Sequence, residues 1–170
     1  MLLTSSRVVM LLRLSASFSV LAGCSGAQWQ NVQVSPAYQP PKEVQIAVVA
    51  RATSVHTAEA VQTLQSVLAS ALAGRGITAK FVPAPTGAPG AHIDVVEWDQ
   101  GVRALRWLGF GGGQGHIVVM VNSASADGQQ GVNGTARGYV RGGFAGGSAY
   151  DSASEAGQLI ARTIATGKTN

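Results

Sequence analysis

The chain has 170 residues, of which 46% are hydrophobic and 12% are charged, and its formal net charge is +4. This length suits a single domain that can bury a core. The basic excess is small and forms no cluster of lysine and arginine, so we expect no nucleic-acid partner. Because the chain has one cysteine, it cannot form an intramolecular disulfide or a metal site made of several cysteines.

The first 23 residues have the pattern of a signal peptide. Arg7 and Arg13 flank and interrupt an apolar run, and no acidic residue precedes Glu43. The run is too short to cross about 30 Å of hydrocarbon, which favours a cleaved leader over a transmembrane helix. Removing it leaves ten basic and eight acidic residues, a net charge of +2.

The end of this run, Leu21, Ala22, Gly23 and Cys24, resembles the lipobox of bacterial lipoproteins. The resemblance implies that Cys24 carries diacylglycerol and becomes the first mature residue. Two acyl chains attach a protein to a membrane stably, whereas one does so only marginally. Ser25 lacks the aspartate that retains such lipoproteins at the inner membrane, which implies the outer membrane of a two-membrane bacterium, with the domain facing the periplasm. The alternative is an ordinary signal peptide that contains a lone cysteine.

Residues 24–43 are predicted to form the lipidated cysteine and a tether rich in proline and glutamine. They show no apolar periodicity, and polar proline-containing segments stay extended and solvated. A single α/β domain is then expected over 44–170.

This domain begins with a β-α-β unit. The β-branched run at 44–50 predicts a buried strand, the helical spacing of apolar residues at 57–73 predicts a helix, and 77–82 predicts a second strand. Such a unit joins parallel strands by default.

Three further strands are predicted after a proline-containing loop at 83–91; they lie at 92–98, 116–121 and about 131–140. A closing helix is predicted to start at a capping box formed by Ser152 and Glu155 and to end near Gly167. The fold class is therefore α/β, a two-layer sandwich with a mixed sheet of about five strands and two packing helices.

Two glycine-rich segments, 99–115 and 142–148, are the most distinctive part of the chain. Through the spaced arginines, the Gly-Phe-Gly run and the terminal helix, residues 44–164 resemble a family of bacterial envelope lipoproteins catalogued as domain of unknown function 4410. The resemblance implies an envelope lipoprotein and supplies no mechanism. Neither segment ends in the Gly-Lys-Ser/Thr of a phosphate-binding loop, so we expect no nucleotide cofactor.

The first of these segments carries four residues suited to a partner, namely Arg103, Arg106, Trp107 and Phe110. One hypothesis is an arm that contacts an envelope protein, an anionic glycan or a lipid surface through arginines and aromatic rings. The alternative is a hairpin whose apolar side chains cover the sheet while its arginines are solvated.

Few residues suggest catalysis or a metal. His56, His92 and His116 fall in separate elements, and none belongs to a short metal motif. On a regular strand Asp94 and Glu97 would point to opposite faces. We therefore predict no catalytic residue, cofactor or metal.

The sequence predicts a lipid-anchored envelope lipoprotein with a non-catalytic domain used for binding or assembly. Two alternatives stay open: a periplasmic hydrolase acting on cell-wall or lipid material, and a subunit of a secretion or envelope complex. Converging histidines and carboxylates in a pocket would favour the hydrolase, and an exposed edge or arm would favour assembly.

Overall fold

A computed structural model describes residues 25–54, 56–102, 114–140 and 148–169. Six strands form one mixed sheet, and two helices cover one of its faces. The elements are β1 (Ser25–Val34), β2 (Glu43–Ala50), α1 (Thr57–Ala73), β3 (Thr78–Phe81), β4 (Gly90–Asp99), β5 (Gly115–Ala124), β6 (Gln130–Val140) and α2 (Ala149–Thr166). The predicted two-layer α/β sandwich is confirmed.

The strand order across the sheet is β1-β6-β5-β4-β2-β3. Strands β2 and β3 run parallel and are joined by α1, as the predicted β-α-β unit requires. Strand β2 is also parallel to β4, whereas the β4-β5, β5-β6 and β6-β1 pairs are antiparallel. The sheet therefore has β1 at one edge and β3 at the other.

The hydrophobic core lies between the sheet and the two helices. Helix α1 contributes Leu64, Leu68 and Leu72, and α2 contributes Ile160 and Ile164, all of them 0 or 1% exposed. They meet inward-facing strand residues that include Ile46, Ile93, Ile117, Val119 and Ala136. Burying one such aliphatic side chain stabilises the fold by about 1.5–3 kcal/mol.

The predicted tether at 24–43 is wrong for its described residues, because Ser25–Val34 forms β1 and pairs with β6 along its length. Ala27 and Trp29 pack against the core, and the Trp29 indole Nε1 donates to Thr163 Oγ1 at 3.1 Å. The loop that follows is also docked, since the Tyr38 hydroxyl donates to the Ile164 carbonyl at 2.6 Å.

The N-cap of helix α2 lies four residues before the predicted one. Ser148 is the N-cap: its hydroxyl accepts from the Tyr150 backbone N–H, and the Asp151 carboxylate accepts from the Ser148 backbone N–H. The predicted box is wrong because Ser152 is buried and donates to the Ala149 carbonyl at 2.6 Å. The predicted end is confirmed, with Gly167 as a left-handed C-cap.

One glycine sets how closely α2 approaches the sheet. A Cβ atom on Gly138 of β6 would overlap the backbone carbonyl of Ser152. Only glycine permits this contact between strand and helix backbone. Among the described residues, no helix combines the length and apolar character needed to cross a membrane.

Candidate functional site

One end of the sheet gathers the segments that the sequence singled out. Ser25 pairs with Val140, and Val140 pairs with Gly115. Because neighbouring strands lie about 4.8 Å apart, Ser25 and Gly115 are separated by about 10 Å. We call this the Ser25 end of the sheet.

The described residues that flank the two glycine-rich segments lie at the Ser25 end. The first lies between Val102 and Gln114, and the second lies between Val140 and Ser148. A Cβ on Gly115 would lie 3.1 Å from Ala149 Cβ and 3.2 Å from the Gln100 carbonyl oxygen. The residues that flank the first segment therefore contact those that flank the second.

Several predicted site residues lie outside the described residues. They are the lipobox and lipidation residues Leu21, Ala22, Gly23 and Cys24, and the candidate arm residues Arg103, Arg106, Trp107 and Phe110. Their chain neighbours Ser25 and Val102 are described. Ser25 opens β1 and Val102, next to the arm, is 54% exposed.

Both helices also begin at the Ser25 end, and a hydrogen bond joins their first turns. The Tyr150 hydroxyl of α2 donates to the Glu59 carboxylate of α1. This bond, followed by one from His56, lowers the pKa of Glu59 below its ordinary value. The same bond raises the pKa of Tyr150 above its ordinary value. Glu59 also lies where the helix dipole favours a negative charge.

An aromatic pair lies beneath this bond. The rings of Trp98 and Tyr150 have centroids 5.6 Å apart and are tilted by 33°. Trp98 is 4% exposed, and its indole Nε1 has no acceptor among the described residues. The Gln100 amide donates to the Tyr150 hydroxyl at 3.3 Å.

The face of the sheet away from the helices, here called the open face, carries the histidines and carboxylates of β4 and β5. The expectation that Asp94 and Glu97 point to opposite faces is wrong. The pairing register shifts between Val95 and Glu97, so Asp94 pairs with Met120 and Glu97 pairs with Val118. Val118 and Met120 are two residues apart on β5, so their side chains point to the same face of the sheet. The paired side chains of Asp94 and Glu97 point to that face as well, which is the open face.

Each of these carboxylates contacts a cationic or imidazole partner. Asp94 Oδ1 lies 3.0 Å from Arg51 Nε and 3.3 Å from His92 Nε2, and Glu97 Oε1 lies 2.8 Å from His116 Nε2. Exposed pairs of this kind contribute about 0–1 kcal/mol each. Within the described ranges, no group of three or more histidine, cysteine, aspartate or glutamate side chains could hold a metal ion.

A pocket of about 190 Å³ opens on this face near the Ser25 end. It is lined by Gln28, Gln114, Gly115, His116, Arg137 and Tyr139. The Tyr139 side chain lies over Gly26, where a Cβ would be 2.8 Å from the Tyr139 hydroxyl oxygen. The sequence prediction missed this pocket because Gln28 was assigned to the tether, and register alone brings it beside Arg137.

The outer edge of β1 borders a second, larger pocket. Its volume is about 430 Å³, and its lining residues are Ala27, Gln28, Trp29, Val32, Leu159, Arg162 and Thr169. Among the described strands β1 pairs with β6 alone, so the other side of its ten-residue backbone has no described strand partner. An unpaired edge of this length is a template for pairing with another chain.

Comparison with known proteins gives a structural likeness alone. No family model matches the chain, and no curated protein matches it. The predicted resemblance to domain of unknown function 4410 therefore stays a prediction. Two solved structures share the fold, both of the PelC dodecamer from Paraburkholderia phytofirmans, one in space group P6 and one, of a single-residue variant, in space group C2. Both are 16% identical to this chain with a TM-score of 0.52. The alignments cover 84% of this chain and 96% of PelC for the first, and 81% and 95% for the second. At this identity the likeness establishes a shared fold.

Proposed function

We propose that this chain is a lipid-anchored lipoprotein of the bacterial envelope, at the outer membrane in a two-membrane cell, with a non-catalytic domain that assembles with other copies of itself. One observation carries the proposal: Ser25, the residue after Cys24, already belongs to β1 and pairs with Val140. Lipid on Cys24 would hold the Ser25 end of the sheet directly at the bilayer surface.

The described residues that flank the predicted arm support this orientation. Arg103, Arg106, Trp107 and Phe110 belong to the segment whose described neighbours lie at the Ser25 end. Arginine favours anionic headgroups, and tryptophan favours the interface between hydrocarbon and water. The lipid and the arm would then engage the same membrane surface.

Two observations support assembly. No described strand pairs with the outer edge of β1, which borders a partly apolar pocket. The fold is shared with PelC, whose structures are dodecamers. A hydrolase has less support, because Asp94 and Glu97 are each engaged by a basic or imidazole side chain and the pocket at Arg137 holds one histidine and no carboxylate.

Acylation is tested by expressing the full chain in a two-membrane bacterium and identifying the mature amino-terminal residue by mass spectrometry. We expect a diacylated Cys24 and recovery of the protein with outer membranes. Cys24→Ser is expected to abolish membrane recovery, whereas Ser25→Ala, the matched control that keeps the thiol, retains it. An unmodified Cys24 in the exported protein contradicts the proposal.

Assembly is tested on the acylated protein in mild detergent by sedimentation velocity. The wild type should sediment as a multimer of one repeating size. Val32→Lys puts a charge in the pocket beside the β1 edge, and we expect it to shift the protein to monomers. Gln33→Lys adds the same charge at an exposed position of the neighbouring residue and should leave the multimer intact. A monomeric wild type contradicts the assembly role.

A further inference from the structure

We propose that the pocket at Arg137 binds the phosphate group of a membrane lipid, a step that rests on the proposed anchoring of Cys24. The guanidinium of Arg137, the side-chain amides of Gln28 and Gln114, the His116 imidazole and the Tyr139 hydroxyl line the pocket. All five side chains carry N–H or O–H groups, and the one permanent charge among them is positive. A lining so rich in donors matches an oxygen-rich anion.

Arg137 is available for such a ligand. All eight acidic side chains of the chain lie within the described residues, and none of them is within 4 Å of the Arg137 side chain. The nearest acids by strand register have other partners. Glu97 accepts from His116, and Asp99 accepts from the Gly101 backbone N–H at 2.7 Å. A planar guanidinium binds phosphate through two parallel N–H groups.

Pocket size and position indicate the source of the phosphate. A volume of about 190 Å³ is below the range of about 300–1,000 Å³ for pockets that enclose a whole drug-sized ligand, so one charged group would enter and the remainder would stay outside. Tyr139 pairs with Gly26 and Arg137 pairs with Gln28. At about 3.3 Å per residue, these rows lie about 3 and 10 Å from Ser25 along β1. With Ser25 at the bilayer surface, a headgroup layer about 5–7 Å thick would cover the Tyr139 row and end about 3–5 Å short of the Arg137 row, a gap shorter than an extended arginine side chain.

The binding test uses the mature chain with Cys24→Ser, so its result does not depend on acylation. Binding is measured by co-sedimentation with vesicles of phosphatidylglycerol and phosphatidylcholine, and with phosphatidylcholine alone. Because loss of hydrogen bonds to a charged group is costly, we expect Arg137→Gln to weaken binding to the anionic vesicles about tenfold or more. Arg137→Lys, which keeps the charge and loses the two-pronged geometry, should have an intermediate effect.

The matched control is Arg75→Gln, which removes the same charge from an exposed position just after the C-terminal end of α1, away from the Ser25 end. It should change binding by about twofold or less, since a distant surface charge acts only through screened attraction. Equal losses for the Arg137 and Arg75 variants would overturn the proposal, because general electrostatic attraction would then explain both. Inorganic phosphate, followed by NMR of the Gln28 and Gln114 amides, tests the source of the anion. Saturable shifts together with vesicle binding independent of Arg137 would assign the pocket to a soluble anion and refute the lipid. Acylation of Cys24 is measured separately, so either proposal can fail alone.

Discussion

Replacing Trp29 with alanine tests whether β1 is part of the folded domain or a tether. In the structure the Trp29 ring packs on the core and its indole N–H bonds Thr163 Oγ1 at 3.1 Å. A solvated tether would lose almost nothing from the same change, because surface substitutions usually alter stability by less than about 0.5 kcal/mol.

The expected loss follows from the burial of this side chain. Truncating a fully buried tryptophan to alanine costs about 3–5 kcal/mol. Trp29 is partly exposed, and Thr163 keeps its own bond to the Leu159 carbonyl at 3.0 Å, so no buried hydroxyl loses its last partner. We therefore expect a loss of about 2–3 kcal/mol in the free energy of unfolding. Trp29→Phe keeps most of the ring packing and removes the hydrogen bond, which should cost about 1 kcal/mol.

The assay is urea unfolding followed by far-ultraviolet circular dichroism, since tryptophan fluorescence would change with the residue itself. With a denaturant slope of about 1.5 kcal/mol/M, Trp29→Ala should lower the unfolding midpoint by about 1–2 M. Gln33→Ala, at an exposed position of the same strand, is the matched control and should leave the midpoint unchanged. A midpoint for Trp29→Ala equal to that of this control would refute the docking of β1.

Three further predictions concern packing and titration. Gly138→Ala would force a Cβ into the Ser152 carbonyl, so we expect a loss of about 1–3 kcal/mol, measured as a lower Tm. Burial raises the pKa of Tyr38 to about 12; the folded state should therefore lose stability as the pH rises from the ordinary value of 10.0 toward 12. In tyrosinate absorbance, Tyr38→Phe should remove one of the late-titrating hydroxyls, because the pKa of Tyr150 is raised as well. Glu59 has a lowered pKa, so its contribution is present above the ordinary value of 4.5 and is lost as the pH falls below it. Glu59→Gln should flatten this part of the Tm profile and bring the pKa of Tyr150 closer to its ordinary value.

The elements that sequence reasoning predicted well have strong local patterns. Helix α1 spans the predicted residues 57–73, because leucines at helical spacing bury one face and Gly74 follows the last turn. The end of α2 at Gly167 also follows from a local rule, since glycine adopts the left-handed conformation at a C-cap. In both cases the decisive residues lie within one or two turns of each other.

The errors arose where distant residues decide the structure. The apolar residues of β1 do not alternate regularly along the sequence. Ala27 and Trp29 are two residues apart and partly buried, as are Val32 and Val34, but the pairing register shifts between Trp29 and Asn31 and breaks the two-residue period. A register shift in β4 also breaks the two-residue period, so Asp94 and Glu97 lie on the same face although their spacing predicts opposite faces. The pocket at Arg137 needs three strands in one register, and single-strand patterns do not contain that information.

The proposed anchoring restricts how copies could pair through β1. With lipid on Cys24, every copy has its Ser25 end at the same surface, so β1 points away from the membrane in each copy. Antiparallel pairing of β1 with β1 would place the two Ser25 ends at opposite sides and is incompatible with one membrane. Strand β3 runs opposite to β1, because three antiparallel pairings separate β1 from β4, and β4, β2 and β3 are parallel. A neighbour in the same orientation therefore presents its β3 edge antiparallel to β1, and such head-to-tail contacts close into rings when the rotation permits.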